Sequence, residues 1–311
     1  MKTIGLLLLA LCAGSVAYAQ TNSTWVSLTG NDNGACTIQA PCRTFGVAVM
    51  NTPAGGEVHA TGPGDYCGGL VQQIVITGSI TIDGGGPGVV CAVTQFLSPV
   101  LINAASGSAI IVRNLVLTTI ASGSSTAAAV DFQNTLTSTT VTLENLVLKT
   151  TQHATGAVHL LGDGASKVIL SNVTADGGAP VGLYLGASTI NTPMQVVVDH
   201  VTVTGLTSGR GIGLLLDTVN ASVRNSTFSG NNIGIETEDG TTALLDTVTM
   251  ALNSQYGLQD LSGTVRIGNS TITGNGTGVA AGAGAQIISF RTNMLAGNVT
   301  DGTIILSTSL K

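Results

Sequence analysis

Charged and aromatic residues are scarce in this chain of 311 residues. Only 8% of the residues are charged and 3% are aromatic, whereas 43% are hydrophobic and 42 residues are glycine. Low charge would indicate a membrane protein if the apolar residues were clustered. Beyond the N-terminus, however, no run approaches the roughly 18 apolar residues of a membrane-spanning helix. The formal net charge of −6 argues against nucleic acid as a partner.

Motifs of several enzyme classes are also missing. The chain has no Asn-Thr-Asp, Asp-Asp, Gly-His-Gly or Arg-x-Pro-x-x-Arg sequence, and no Gly-x-Ser-x-Gly nucleophile motif. No histidine pair has metal-ligand spacing, and no Cys-x-x-Cys sequence occurs. Glycine-rich stretches such as 84–88 lack the Lys-[Ser/Thr] of a phosphate-binding loop. We therefore predict no metal site and no cofactor.

The N-terminus has the pattern of a signal peptide, Met1–Ala19. Lys2 precedes the apolar run Ile4–Cys12, and Ala17-Tyr18-Ala19 is a small-x-small cleavage site. The apolar run is too short for a membrane anchor. The sequence thus predicts a secreted protein, extracellular or periplasmic, without a transmembrane segment in the mature chain.

One short pattern recurs from Ile110 to Gly297: apolar, any, apolar, polar, Asn, apolar, any, apolar. The centres of the copies are Asn114, Asn145, Asn172, His200, Asn225, Thr247, Asn269 and Thr292. Successive centres are 31, 27, 28, 25, 22, 22 and 23 residues apart. A period of about 20 to 50 residues indicates stacked supersecondary units.

The spacing of apolar residues indicates which unit is stacked. The residues four and two before each centre are apolar in every copy, ending with Ile288 and Phe290. This alternation has the period of a strand. After the centre the parity changes, which indicates a bend, and asparagine readily adopts the left-handed conformation that a bend needs. We expect the bend asparagines to stack between coils, with their amides buried and each worth about 1–3 kcal/mol.

A third strand precedes each pattern, for example Gly182-Leu-Tyr-Leu and Gly213-Leu-Leu-Leu. Three short strands per repeat make one coil of a parallel β-helix, with neighbouring coils about 4.8 Å apart. The chain from Trp25 to the C-terminus resembles right-handed parallel β-helices of the pectate-lyase-like superfamily, in which an Asn-bearing bend commonly joins the second and third sheets. The resemblance implies an all-β fold of three parallel sheets and about eight to ten coils.

The segment before the repeats resembles the start of many secreted β-helix proteins. A strand, a turn, Pro41-Cys-Arg-Thr-Phe45 and Gly55-Gly-Glu-Val follow in order, with a capping helix expected at Arg43–Asn51. We therefore divide the chain into a signal peptide (1–19), an N-terminal segment and cap (20–66) and a β-helix (67–311). This fold hosts lyases, hydrolases, adhesins and proteins without known activity, so it implies no single function.

Four cysteines remain after removal of the signal peptide: Cys36, Cys42, Cys67 and Cys91. An even number in an exported chain favours disulfides. We predict the pairs Cys36–Cys42 and Cys67–Cys91, because the second pair lies about one coil apart and fits disulfide geometry. A cross-link between the N-terminal segment and the first coil is the alternative.

The outer face of the glycine-led strands carries the candidate site. Stacking in register places Asp131, His159, Tyr184 and Glu236 in one column, and Asp217 in the column two residues on. Such side chains can stack on and hydrogen-bond to sugars. By contrast, Val198-Asp-His200 is similar to part of a pectate-lyase motif. His200 falls on a bend position, however, which favours a structural role over a catalytic one.

Three functions are compatible with these observations. We expect binding of a polysaccharide or cell-surface glycan, because no cationic base stands near the column. A polysaccharide lyase or glycoside hydrolase acting on this face is the enzymatic alternative, and an adhesin-like structural rod is the third. The oligomeric state and the identity of the ligand stay open.

Overall fold

The computed structural model describes residues 22–306, apart from 69–71, 87, 95–96, 121–126, 152–153 and 190–191. The predicted signal peptide lies outside the described residues. Within the described part, the chain forms one helix and 29 strands, all paired in parallel. No helix there is long and apolar enough to cross a membrane.

Ten of the strands form one parallel sheet, here called the glycine-led sheet. Consecutive members along the chain are neighbours in the sheet, so each coil adds one strand. The strands are Ile74–Ile76, Val100–Ile102, Ala128–Phe132, Gly156–Gly162, Val181–Ala187, Ile212–Asp217, Ile233–Glu238, Tyr256–Asp260, Thr277–Ala281 and Thr300–Gly302. Ten strands agree with the predicted number of coils.

The other two faces of the coil form a bent sheet of nineteen strands. They join because three strands run through the bend: Ala109–Ile120, Thr140–Thr150 and Lys167–Gly177. The pre-bend strands are Ser23–Val26, Glu57–Ala60, Ile80–Asp83, Met194–Asp199, Val219–Arg224, Thr242–Asp246, Thr264–Gly268, Gln286–Ser289 and Ile305–Leu306. The post-bend strands are Gly64–Asp65, Val89–Thr94, Thr202–Thr204, Thr227–Ser229, Thr249–Ala251, Thr271–Thr273 and Met294–Leu295.

The repeat centres lie at the bend between these two faces. Seven of the eight predicted centres have a positive φ, between 50° and 59°. The alternation switches there, so that Val141 and Leu143 before the bend and Leu146 and Leu148 after it all point into the core. The predicted bend and its parity change are confirmed, and His200, with φ of 53°, is one of the bend residues.

The last copy of the repeat is centred on Arg291, not on Thr292. Arg291 has the left-handed φ of 66°, and Ser289 faces the core while Ile288 and Phe290 are only partly buried. The prediction was wrong because the core position is occupied by a serine, so apolar alternation pointed to the neighbouring residues. With this correction, the last three intervals between centres are all 22 residues.

The bend asparagines form hydrogen bonds between coils, as predicted. The Nδ2 atoms of Asn145 and Asn172 donate to the Oδ1 atoms of Asn114 and Asn145, at 3.1 and 2.7 Å. Two later asparagines donate to an aspartate of the preceding coil, Asn225 to Asp199 and Asn269 to Asp246. However, Asn145 and Asn172 are exposed, so the expectation of buried amides is wrong. Their chief role is to adopt the left-handed backbone conformation that the bend requires.

A buried ladder of asparagines, which the sequence analysis missed, lies at the next corner. We call Asn231, Asn253, Asn275 and Asn298 the inner ladder. Asn253 Nδ2 donates to Phe228 O at 3.1 Å and to Asn275 Oδ1 at 2.9 Å, while its own Oδ1 accepts from Asn231 N at 3.0 Å. Asn231, Asn253 and Asn275 are each only 1% exposed. Their amides supply the hydrogen bonds that buried turn backbone requires.

The inner ladder and the next coil explain why the later strands of the glycine-led sheet have glycine as their second residue. A Cβ on Gly234 would lie 2.5 Å from Gly257 O and 2.8 Å from Asn253 Nδ2. Gly213 and Gly257 meet the same two kinds of neighbour. The space is therefore already occupied by the next coil and by the ladder, and only glycine fits.

The helix Phe45–Asn51 covers the N-terminal end of the core with Phe45, Ala48 and Val49. It begins two residues later than predicted, because Thr44 is its N-cap and accepts a hydrogen bond from Val47 N. The N-terminal segment also adds the strands Ser23–Val26 and Glu57–Ala60 to the pre-bend face.

Both disulfides form as predicted. Cys36–Cys42 closes a short loop, with a Cα–Cα distance of 4.6 Å. Cys67–Cys91 joins neighbouring coils, with a Cα–Cα distance of 4.8 Å. Cys67 and Cys91 are completely buried, so the second bridge ties the first coils together from within.

Candidate functional site

The structure places the five predicted site residues on one outer face of the glycine-led sheet. We call Asp131, His159, Tyr184, Asp217 and Glu236 the Tyr184 strip. His159 pairs with Tyr184, Tyr184 with Leu215, and Leu215 with Glu236 in successive strands. Gly186 pairs with Asp217, so Asp217 stands two residues further along its strand. The predicted register is therefore confirmed.

An aspartate and a histidine form one end of the strip. His159 Nδ1 lies 3.2 Å from Asp131 Oδ1, and Ser98 Oγ donates to Asp131 Oδ2 at 3.2 Å. Asp131 is 8% exposed, so its carboxylate is fixed by these two contacts. This carboxylate orients the imidazole and favours the proton on Nδ1, which leaves Nε2 as a hydrogen-bond acceptor in the neutral ring.

The centre of the strip is an aromatic stack. The rings of His159 and Tyr184 have centroids 5.1 Å apart and an interplanar angle of 17°. Tyr184 Oη donates to Asp217 Oδ2 at 3.2 Å. Burial and the neighbouring Asp217 carboxylate raise the pKa of Tyr184 to about 12. The hydroxyl therefore stays protonated and holds the ring in place as a hydrogen-bond donor.

An apolar floor separates this stack from the other end of the strip. Ile212, Leu215 and Ile233 point outward from the sheet but are at most 5% exposed, and Tyr184 and Tyr256 pack against them. Apolar residues on the outer face of a sheet are usually exposed. Here they are buried because the rings of Tyr184 and Tyr256 cover them. The partly exposed rings of Tyr184 and Tyr256, rather than the covered floor, therefore supply apolar area beside hydrogen-bonding groups, the combination found in ligand sites.

Two glutamates and an arginine form the second end. Arg210 Nη2 contacts Glu236 Oε1 and lies 3.0 Å from Glu238 Oε1. Burial and a hydrogen bond with Glu238 raise the pKa of Glu236 to about 7. For Glu238, hydrogen bonds from Glu236 and Arg210 outweigh burial and lower the pKa. Near neutral pH, Glu236 can therefore hold the proton that it shares with Glu238.

Arg210 corrects one expectation of the sequence analysis, which placed no cationic group near the column. It lies in the turn before the strand Ile212–Asp217, outside any strand register. Alternation along strands therefore could not place it. The nearest sequence signal is the pair Glu236 and Glu238, two carboxylates on the same face that require a counter-charge.

One group of described side chains has ligating atoms close enough for a metal ion. The atoms of Glu57, His59 and Asp83 lie within 4.8 Å of one another. Arg113 already pairs with both carboxylates, at 2.8 Å from Glu57 Oε1 and 2.8 Å from Asp83 Oδ2. The guanidinium supplies the positive charge that a metal would bring, so this cluster fits an ion-pair network better than a metal site.

Comparisons with known proteins agree with the architecture. A family model described as "Right handed beta helix region" matches residues 156–310. The matched part begins with the strand of His159 and includes the inner ladder and most of the Tyr184 strip. No curated protein and no solved structure matches the chain. The parallel coils and this match together identify the chain as a right-handed β-helix protein.

Proposed function

We propose that the protein binds a carbohydrate along the Tyr184 strip and does not cleave it. The observation that carries the proposal is the stacked pair of His159 and Tyr184, flanked by hydrogen-bonding carboxylates on a rigid sheet. Aromatic rings pack against the apolar faces of sugars, while carboxylates and imidazole bind hydroxyl groups. The third possibility, a purely structural rod, does not require this arrangement.

The dimensions of the strip fit an oligosaccharide. From Asp131 to Glu236 the register advances by four coils, which is roughly 19 Å at about 4.8 Å per coil. Its side chains stand on hydrogen-bonded strands and contact one another, so little conformational entropy is lost when a ligand binds. A linear glycan of a few rings can lie along the column.

The test is titration of neutral and acidic oligosaccharides against variants of the strip. We expect Tyr184→Ala to weaken binding at least tenfold, because stacking area and its hydrogen bond to Asp217 are both lost. Tyr184→Phe should retain most of the affinity, since the ring stays. Asp131→Asn should weaken binding by releasing His159.

Asp176→Asn is the matched control for Asp131→Asn. Asp176 is exposed on a post-bend segment, away from the strip. Equal affinity of the wild type, Tyr184→Ala and Asp131→Asn would remove the strip as the site. Absence of binding to any glycan would favour the structural rod.

Glycoside hydrolysis is a second candidate, favoured by the two adjacent glutamates. Glu236, with its pKa raised to about 7, could act as an acid, while a carboxylate such as Asp217 or Glu238 acts as a base. Glu236 is only 1% exposed and is covered by Arg210. A substrate could reach it only after Arg210 moves, and for this reason we rank binding first.

The pH dependence of bond cleavage tests this second function. A general acid with a pKa of about 7 is protonated below that pH, so release of reducing sugar ends should fall as the pH rises through 7. Glu236→Gln should abolish such release, whereas Asp176→Asn should not. If no cleavage is detected at pH 5 with ligands that bind, the hydrolase function is refuted.

A further inference from the structure

A second surface lies on the pre-bend face, away from the Tyr184 strip. We call it the pre-bend groove, a concave region of about 440 Å³ that crosses successive coils. One column of its lining descends from Lys167 through Gln195 and Asn220 to Thr242. A volume of this size is within the range of small-molecule and oligosaccharide sites.

The adjacent column supplies apolar contacts and a second cation. It runs from Val197 through Ser222 and Leu244 to Arg266. Leu244 is 43% exposed and adds apolar surface to the groove. The groove therefore combines amides and hydroxyls in the middle with a strip of apolar surface alongside.

Its charge is opposite to that of the protein. The chain has a net charge of −6, but the groove lining contains Lys167 and Arg266 and no carboxylate. Arg113, Arg210 and Arg224 pair with carboxylates, whereas Lys167 and Arg266 form no ion pair among the described residues. Two unpaired cations at the two ends of a polar groove suit an anionic ligand.

The two aspartates in the column beside the groove are occupied by other partners. Asp199 Oδ1 lies 3.0 Å from His200 Nδ1 and 3.3 Å from Arg224 Nε. Asp246 accepts a hydrogen bond from Asn269 Nδ2 at 2.8 Å. Both belong to the next column towards the bend, and neither lines the groove. These two aspartates therefore interact with residues at and next to the bend, and not with Lys167 or Arg266.

We infer that the pre-bend groove binds an anionic oligosaccharide, with its acidic groups on Lys167 and Arg266. The two cations are separated by four coils, roughly 19 Å at strand spacing, which fits a chain of a few sugar rings. Gln195, Asn220 and Thr242 offer both donors and acceptors to hydroxyl groups. The groove lies in the middle of a sheet face, so it offers no free backbone edge to a peptide strand.

The test is calorimetric titration with a tetrasaccharide of uronic acids at low salt, compared with a neutral mannose tetrasaccharide. The uronate should bind, and its affinity should fall as salt rises. Lys167→Gln and Arg266→Gln should each weaken binding about fivefold to tenfold, and the double variant by at least thirtyfold. Both side chains are exposed, so thermal unfolding of the three variants should be unchanged.

Two controls separate this groove from the rest of the molecule. Lys149→Gln removes an exposed cation outside the groove and should leave uronate affinity unchanged. Tyr184→Ala should also leave it unchanged, which distinguishes the groove from the proposed strip. Equal binding of the neutral tetrasaccharide, equal binding of an acidic tetrapeptide, or an unaffected double variant would each overturn the inference.

Discussion

The two halves of the β-helix are stabilised in different ways. In the C-terminal half the bends recur every 22 residues from Asn225 to Arg291, and the inner ladder links each coil to the next. In the N-terminal half the coils are longer, and a capping helix and the Cys67–Cys91 disulfide hold the first turns. The inner asparagines stack at intervals of 22, 22 and 23 residues, so coils of nearly equal length keep them in one column.

The glycine-led strands show the same difference. Gly213, Gly234 and Gly257 pack against the inner ladder, whereas the corresponding residues of the earlier coils are Ala129, Ala157 and Gly182. A Cβ on Gly182 would lie 2.6 Å from Gly213 O and 2.6 Å from Val203 Cγ1, so the next strand and the core alone exclude a side chain there. In the later coils the inner asparagines add a further contact to this close approach of the next strand.

The largest expected effect comes from breaking the inner ladder. Asn253→Ala removes the donor to Phe228 O and the acceptor of Asn231 N, and leaves these groups buried without partners. We expect a loss of about 3–5 kcal/mol in the free energy of unfolding, measured by thermal or urea unfolding. The matched control is Asn220→Ala, since Asn220 is exposed on a strand. Equal stability of both variants would contradict a structural role for the ladder.

An intermediate effect should come from the disulfides of the N-terminal half. Replacing Cys67 and Cys91 with serine removes a cross-link across 24 residues, against 6 residues for Cys36 and Cys42. Because a longer loop loses more entropy when closed, we expect the first change to cost about 1 kcal/mol more than the second. Unfolding experiments on the two double variants measure the difference between these two costs. Equal costs would mean that loop closure does not dominate.

The smallest effect should come from the exposed bend asparagines. Asn145→Ala places alanine at φ of 52° and removes a hydrogen bond at the surface, at a cost of about 1–2 kcal/mol. Asn145→Gly removes the same hydrogen bond without the strain. If strain dominates, the glycine variant will be the more stable of the two by about 1 kcal/mol in thermal unfolding. Equal stability of the two variants, both below the wild type, would assign the main role to the amide.

Much of the fold could be predicted from local pattern. Alternation of apolar residues places the strands, and the change of parity at each centre places the bend. Both follow because successive side chains of a strand point to opposite faces. The same pattern failed at Ser289, where the core accepts a serine between apolar neighbours. The inner ladder was missed although its asparagines lie six residues after the bend in three coils and seven residues after it in the last. A buried polar residue breaks the apolar pattern on which the sequence analysis relied.

The sequence alone determined the β-helix, its left-handed bends and the register that aligns Asp131, His159, Tyr184 and Glu236, because each follows from residue spacing along the strands. For the disulfides it left two pairings open, and the structure decided between them. The tertiary structure decided what these groups contact. Arg210 reaches Glu236 from a turn, and Tyr184 is held by both His159 and Asp217. The turn that carries Arg210 has no strand alternation, so the position of this side chain depends on how neighbouring coils pack.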